Sequence, residues 1–371
     1  YGHKYLRKMV SLVVAPGGLG KSSLMIAEAL AMASGKNLLG IQPHKRFRVW
    51  IYNGEDPLEE LQRRVQAVAK FFGLTEQDID GYLFVTNGRN GLITIAEQTR
   101  DGTAISIPMV EECIETIKHF KADIWIVDPF VSIHRVSEND NNGIDRVSKI
   151  FTKIADETDC SVVLVHHSRK TSENEISVED GRGASALLAA VRVAFVLNRM
   201  TEAEAEKAGV ENRYDYFRVN KGKSNLGPSS EKADWYKMEP VPMLNGDDEY
   251  AGDDVAAATK WQWPNAMDGV SGDHVSAVLR ALVNQPRNPD GSPAAGNYRM
   301  DKRSKNWVGN LVAEVVGVDL RGGQDKAAVA KVDQIIKEWV QNGALISLEG
   351  KDERRHTVAY AGAGKDLGGL Y

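Results

Sequence analysis

A glycine-rich turn between an apolar strand and a helix constrains this chain more strongly than any other feature. The segment from Ala15 to Ser22 reads APGGLGKS, follows an apolar run over residues 10–15, and precedes a helical pattern over residues 22–34. This arrangement has the form of a Walker A loop, with alanine in place of the usual first glycine. Because such a loop joins a strand to a helix, it predicts an α/β fold.

The residue types in this loop suit the binding of a nucleoside triphosphate. Gly17, Gly18 and Gly20 allow backbone amides to turn toward phosphates, and the following helix directs its N-terminus at them. Lys21 would reach the β- and γ-phosphates, and Ser22 would hold Mg²⁺. The alternative, an ordinary glycine-rich turn, is disfavoured by the lysine and hydroxyl in the correct context. We therefore predict ATP and Mg²⁺ as cofactors, with nucleotide-binding residues Pro16, Gly17, Gly18, Leu19, Gly20, Lys21, Ser22 and Ser23.

Strands and helices alternate through residues 1–238, which we assign to one domain. Strands are predicted at residues 10–15, 48–53, 81–86, 122–128, 161–166, 192–198 and 216–220, and helices at 22–34, 57–72, 107–120, 143–159 and 183–190. Alternation at this spacing implies right-handed βαβ units, and therefore a mainly parallel sheet.

Polar side chains follow three of these strands, at ends that meet at one edge of a parallel sheet. Asp128 ends one strand, where a carboxylate would help to hold the metal, as in a Walker B motif. Glu55 would orient and deprotonate the attacking water, and Asp56 would cap the helix that begins at Pro57; alternatively, both acids only cap that helix. His167, the second of two adjacent histidines, would contact the γ-phosphate, although a lone histidine is usually structural.

The composition changes near residue 240. Residues 239–254 are rich in Asp, Glu and Gly, and we predict an acidic linker over residues 239–262. Residues 263–371 would form a smaller α+β domain, with helices at 272–284, 304–316 and 326–342 and strands at 344–348 and 355–360. Three helices followed by a hairpin is the pattern of a winged helix. Its basic residues Lys302, Arg303, Arg354 and Arg355 would contact duplex DNA, or else be solubilising charges on a protein–protein module.

Bulk composition excludes some function classes. The net charge is −5, so any nucleic-acid-binding surface must be local. The two cysteines lie far apart and form neither a disulfide framework nor a metal-ligand spacing, which favours a reducing, cytoplasmic setting. The apolar runs are far shorter than the roughly 20 residues of a membrane helix, so we expect no membrane partner.

An ordered set of motifs over about residues 5 to 240 resembles the plasmid RepA-type hexameric helicases, which are RecA-like and DnaB-related. In order, the motifs are APGGLGKSS, YNGEDP, IVD, VLVHHSRK, GRGASALLAAVR and VNKGKSNLGP. The resemblance implies a RecA-like core, assembly into a hexameric ring and action on single-stranded DNA. This chain departs from the simplest members of that family by carrying roughly 110 further residues at its C-terminus.

The resemblance also implies roles for basic residues. Arg192 would be an arginine finger offered to the nucleotide of a neighbouring subunit, with a salt-bridging strand arginine as the alternative. Lys221 and Lys223 would reach the same interface or lie in a solvated turn. Arg169, Lys170 and Arg182 would bind phosphates of single-stranded DNA in a channel loop, although the same loop carries four acidic residues.

These inferences together predict a ring-forming ATPase that translocates on single-stranded DNA, as a replicative helicase of a plasmid- or phage-like element. Two alternatives remain. The first is a RecA-like ATPase that acts as a loader, recombination or defence switch without unwinding. The second is a DNA-binding regulator whose oligomerisation is controlled by ATP. The expected partners are further copies of the chain, single-stranded DNA, and duplex DNA or a protein bound by the C-terminal domain.

Overall fold

A computed structural model describes residues 1–168, 175–180, 184–224, 233–323 and 325–364. The chain divides into two units. The first comprises Tyr1–Met200 and Tyr214–Gln262, and the second comprises Thr201–Arg213 and Trp263–Tyr371. Among the described helices, none is both long enough and apolar enough to cross a membrane.

The strands of the first unit are β1 (Val10–Ala15), β2 (Val49–Asn53), β3 (Leu83–Asn87), β4 (Ala96–Thr99), β5 (Gly102–Ile105), β6 (Ile124–Asp128), β7 (His134–Arg135), β8 (Ser161–His167), β9 (Val193–Arg199), β10 (Tyr216–Ser224), β11 (Asp234–Pro242) and β12 (Asp254–Lys260). Its helices are α1 (Lys21–Ser34), α2 (Leu58–Phe71), α3 (Glu76–Ile79), α4 (Ile107–Phe120), α5 (Asn141–Thr158) and α6 (Ala184–Ala190).

The main sheet of the described residues has the strand order β12-β11-β10-β9-β1-β8-β6-β2-β3. The strands from β9 to β3 in this order run parallel to one another, whereas β10, β11 and β12 are antiparallel to their neighbours. A second, three-stranded sheet has the order β5-β4-β7. The α/β class and the mainly parallel sheet are as predicted.

Alternating side chains of the central strands supply two apolar layers. On one face, residues such as Val13, Ile51 and Ile126 pack with α1 and α2. On the other face, residues such as Leu12 and Trp125 pack with α4 and α5. Both faces of a parallel sheet are covered by helices in this way, which explains why its strands are continuous apolar runs in the sequence.

The prediction of an acidic linker over residues 239–262 is wrong. Strand β11 continues to Pro242, and β12 pairs with it in antiparallel register, with Met238 opposite Ala258. Only residues 243–253 connect the two strands. The acidic residues Asp247, Asp248, Glu249 and Asp253 lie in this connection, whereas β12 has three alanines and therefore a weak strand pattern.

The second unit contains α7 (Glu202–Ala208), α8 (Gly272–Val283), α9 (Val308–Val316), α10 (Lys326–Gln341), β13 (Leu345–Lys351) and β14 (Thr357–Ala363). Its core includes Val278, Val312, Ile335 and Trp339. The predicted order of three helices and a hairpin is observed. A short segment around Arg299 adds a third strand-like pairing to β14, with the amide of Met300 donating to the carbonyl of Ala359 at 3.0 Å.

Candidate active site

The glycine-rich loop forms an open turn between β1 and α1. Gly18 and Gly20 adopt φ values of 71° and 92°, which side chains disfavour. A Cβ placed on Gly17 or Gly18 would meet no atom within 4 Å, so the loop faces open space. No side chain caps the N-terminus of α1. Its first amides therefore remain available for an anion, as the sequence predicts.

Lys21, Ser22 and Asp128 lie together beneath this turn. The hydroxyl of Ser22 donates to Oδ2 of Asp128 at 2.6 Å. Nζ of Lys21 lies 3.5 Å from Oδ1 of Asp128, which accepts no hydrogen bond from a described residue. Lys21 and Asp128 are both buried. A hydroxyl oxygen beside a buried carboxylate oxygen with spare capacity is a donor set that fits Mg²⁺.

Asn53 holds the segment that carries Glu55, a role that was not foreseen from the sequence. Its side-chain Oδ1 accepts hydrogen bonds from the amides of Glu55, at 2.9 Å, and Asp56, at 2.8 Å. The amide of Gly54 donates to the carbonyl of Asp128 at 3.0 Å, so the end of β2 is also tied to the end of β6. Asparagine side chains often form turns by hydrogen bonding to backbone groups two residues ahead, and this preference is the sequence signal that could have predicted the role of Asn53.

The structure corrects the prediction for Asp56. The N-cap of α2 is Pro57, without a side-chain capping bond, and the carboxylate of Asp56 instead accepts from Nη1 of Arg64 at 2.8 Å. Glu55 has no such contact with α2. Its carboxylate is 54% exposed, and its Oε1 lies 3.8 Å from Nε2 of His167. Glu55 is therefore accessible to water beside the glycine-rich turn.

The two histidines at the end of β8 have different environments. His166 is buried next to Phe130, whereas His167 is half-buried and faces Glu55. Burial, followed by the positive charge of Lys21, lowers the pKa of His167 below its usual value. His167 is therefore neutral at pH 7, and it can contact a phosphate by hydrogen bonding rather than by charge.

Arg192, Lys221 and Lys223 lie away from this cluster. The amide of Arg192 approaches the carbonyl of Val10, at the start of β1, and its side chain is exposed. Five residues separate Val10 from Ala15, or about 17 Å at about 3.3 Å per residue. Lys221 pairs with Phe195 on β9, and Lys223 donates to the carbonyl of Leu188. Arg192 thus lies at the opposite edge of the sheet, whereas Lys221 and Lys223 pair with β9 at the level of Val13 and Leu12, midway along β1.

Arg169, Lys170 and Arg182 lie outside the described residues, so their predicted DNA contacts remain predictions. The residues beside this segment are anchored. The amide of Ser168 donates to the carbonyl of Ala15 at 3.0 Å. The side-chain amide of Asn198 bonds both the amide and the carbonyl of Ile176, at 2.8 and 2.9 Å. Ser168 therefore lies beside Ala15, where the glycine-rich turn begins.

The basic residues predicted in the second unit are exposed on two loops. Lys302 and Arg303 precede α9, which begins four residues later than predicted, at Val308. Arg354 and Arg355 occupy the turn between β13 and β14. Their DNA contacts stay predictions.

The amino-terminal half of α10 is covered by α7. A Cβ on Gly209, the C-cap of α7, would lie 2.9 Å from Cα of Ala327. This part of α10 therefore cannot enter a DNA groove unless α7 moves. Helix α7 was not predicted from the sequence, so its contact with α10 is a new observation.

A protein-family comparison agrees with this geometry. Residues 1–173 match the family model described as an AAA domain. The matched segment is similar to such domains, and it contains the glycine-rich P-loop of residues 15–22. The match includes Lys21, Glu55, Asp128 and His167, and it ends before Arg192. The crystal structure of the RadB recombinase is similar over 63% of this chain and 89% of its own, at 12% identity and a TM-score of 0.42.

Proposed function

We propose that this chain hydrolyses ATP in a head-to-tail ring and couples hydrolysis to movement on single-stranded DNA, as a replicative DNA helicase. The observation that supports the proposal most is the separation of two groups of predicted site residues. Lys21, Ser22 and Asp128 lie at the carboxyl edge of the sheet, and the exposed Arg192 lies at the amino edge. A heterologous interface that repeats around a ring would bring opposite edges of two copies together.

Within one subunit, each residue of the cluster has a separate task. Amides of the P-loop and the ammonium group of Lys21 would bind the phosphates, and Ser22 with Asp128 would hold Mg²⁺. The bound ion would neutralise charge on the phosphate oxygens. Glu55 would accept a proton from the attacking water, and neutral His167 would hydrogen-bond the γ-phosphate. Arg192 of the next subunit would stabilise the charge of the transition state.

Mixing two inactive variants tests the shared site. Lys21→Ala removes the phosphate-binding lysine but leaves Arg192 intact, and Arg192→Ala does the reverse. In a random equimolar mixture, about one quarter of head-to-tail interfaces combine an intact P-loop with an intact arginine. We expect each variant alone to be inactive and the mixture to recover up to about that fraction of ATPase activity. No recovery in mixed assemblies, verified by mass photometry, would contradict the shared site.

Strand separation on a forked, fluorescently labelled DNA tests the helicase activity. We expect unwinding by the native chain with ATP and Mg²⁺, and none by Glu55→Gln, which should still bind ATP. ATPase activity stimulated by single-stranded DNA without unwinding would instead identify a loader, recombination or defence switch. If deletion of residues 263–371 abolished DNA binding but not ATP binding, the ATP-controlled regulator would be the better description.

A further inference from the structure

A second group of residues borders the P-loop on the side away from Asp128. Strand β9 runs parallel to β1, with Val196 opposite Val14, so Arg199 passes the end of β1 and reaches the level of Gly17. Nη2 of Arg199 lies 3.5 Å from the carbonyl of Gly18. The arginine side chain therefore stands against the phosphate-binding turn, on the flank formed by β9.

An exposed aromatic ring accompanies this arginine. The guanidinium carbon of Arg199 lies 5.1 Å from the ring centroid of Tyr214, and Nη1 lies 3.3 Å from the carbonyl of Tyr214. Tyr214 is nevertheless 61% exposed. Among the described residues, no carboxylate lies within ion-pairing distance of Arg199. The pair is thus a planar cation beside the P-loop and a planar ring that packs against that cation.

Met238 completes the same flank. A Cβ on Gly20 would lie 2.7 Å from Sδ of Met238, so the thioether packs directly on the P-loop glycine. Aromatic rings, guanidinium groups and thioethers all make favourable contacts with the face of a flat π-system. The guanidinium group alone could also bind a carboxylate, but the ring and the thioether would add nothing to that contact, whereas all three groups can contact a purine.

We propose that Arg199 and Tyr214 form the platform on which the nucleobase of the bound triphosphate stacks. This inference rests on the proposed nucleotide function of the P-loop, and it adds the part of the ligand that the P-loop does not contact. The phosphates and the base then have separate binding groups, with the phosphates on Lys21 and the amides of the turn. Because stacking is tolerant of base identity, the platform raises affinity for purine nucleotides without distinguishing adenine from guanine.

Inorganic tripolyphosphate separates the two contributions because it has the phosphates without the base. Binding of Mg²⁺-ATP and of Mg²⁺-tripolyphosphate is measured by calorimetry for the native chain and for Tyr214→Ala. We expect the variant to bind ATP about tenfold more weakly, which corresponds to about 1.4 kcal/mol, and to bind tripolyphosphate unchanged. Tyr214→Phe keeps the ring and should restore ATP affinity to within about twofold of the native value.

Tyr250→Ala is the matched control, because Tyr250 is also half-exposed but lies in residues 243–253 and donates to Asp253. It should leave both affinities unchanged. Equal weakening of ATP and tripolyphosphate by Tyr214→Ala would show that the pair braces the P-loop, and would overturn the platform. Unchanged ATP affinity would overturn it as well. A native chain that binds neither ligand would instead refute the nucleotide function itself.

Discussion

Replacement of Asn53 by alanine tests how the segment that carries Glu55 is held. Asn53 is 3% exposed, and its Oδ1 accepts from the amides of Glu55 and Asp56. Each lost hydrogen bond costs about 1 kcal/mol net, so we expect a loss of about 2 kcal/mol. If this cost falls on the conformation that places Glu55, kcat for ATP hydrolysis should fall about 30-fold. The affinity for ATP should change little, because Lys21 is untouched.

A steady-state ATPase assay gives kcat, calorimetry gives the affinity for ATP, and urea unfolding gives the stability change. Asn198→Ala is the control variant. Asn198 is also a buried strand-end asparagine with two hydrogen bonds to backbone, but it holds Ile176 rather than Glu55. It should lose comparable stability and keep its basal kcat. A normal kcat in Asn53→Ala, or an equal loss in Asn198→Ala, would refute the positioning role.

Three further predictions concern stability and local packing. Gly54→Ala should reduce stability by about 1–3 kcal/mol through overpacking, and ATPase activity with it, because the new Cβ would lie 2.0 Å from Oγ of Ser132. The double variant Gly54→Ala with Ser132→Gly should recover both stability and ATPase activity. Lys4→Met should lower the free energy of unfolding by about 3–5 kcal/mol, because it removes the ammonium group that lies 2.7 Å from the buried carboxylate of Glu28. The double variant Lys4→Met with Glu28→Leu removes that carboxylate too, and it should recover much of the lost stability in urea unfolding. Burial lowers the pKa of His134 to about 4 from 6.5, so the contribution of the neutral histidine to stability is complete above pH 6.5. This contribution declines by about 3 kcal/mol as the pH falls toward 4. Unfolding measured against pH should show a shallower decline in His134→Asn, and an unchanged slope would contradict this.

The sequence by itself determined the parts of the site that depend on local pattern. The P-loop is contiguous, so the roles predicted for its glycines, lysine and hydroxyl require only that a strand precedes it and a helix follows it. Glu55, Asp128 and His167 follow from a general property of parallel sheets, in which the carboxyl ends of strands share one edge. The buried parallel strands could also be predicted from the sequence, because both faces of each strand require apolar side chains and therefore give a continuous apolar run.

Tertiary structure decided whatever depends on which strands are neighbours. Residues 254–260 form β12 because β11 supplies their hydrogen bonds, and no local signal marks such pairing at an edge. Arg192 lies at the edge opposite Lys21 because the register between β1 and β9 places the start of β9 beside Val10. Arg199 meets Tyr214 for the same reason. Contacts between residues that are distant in sequence arise from packing and pairing, so they are absent from any window of the sequence and present only in the folded chain.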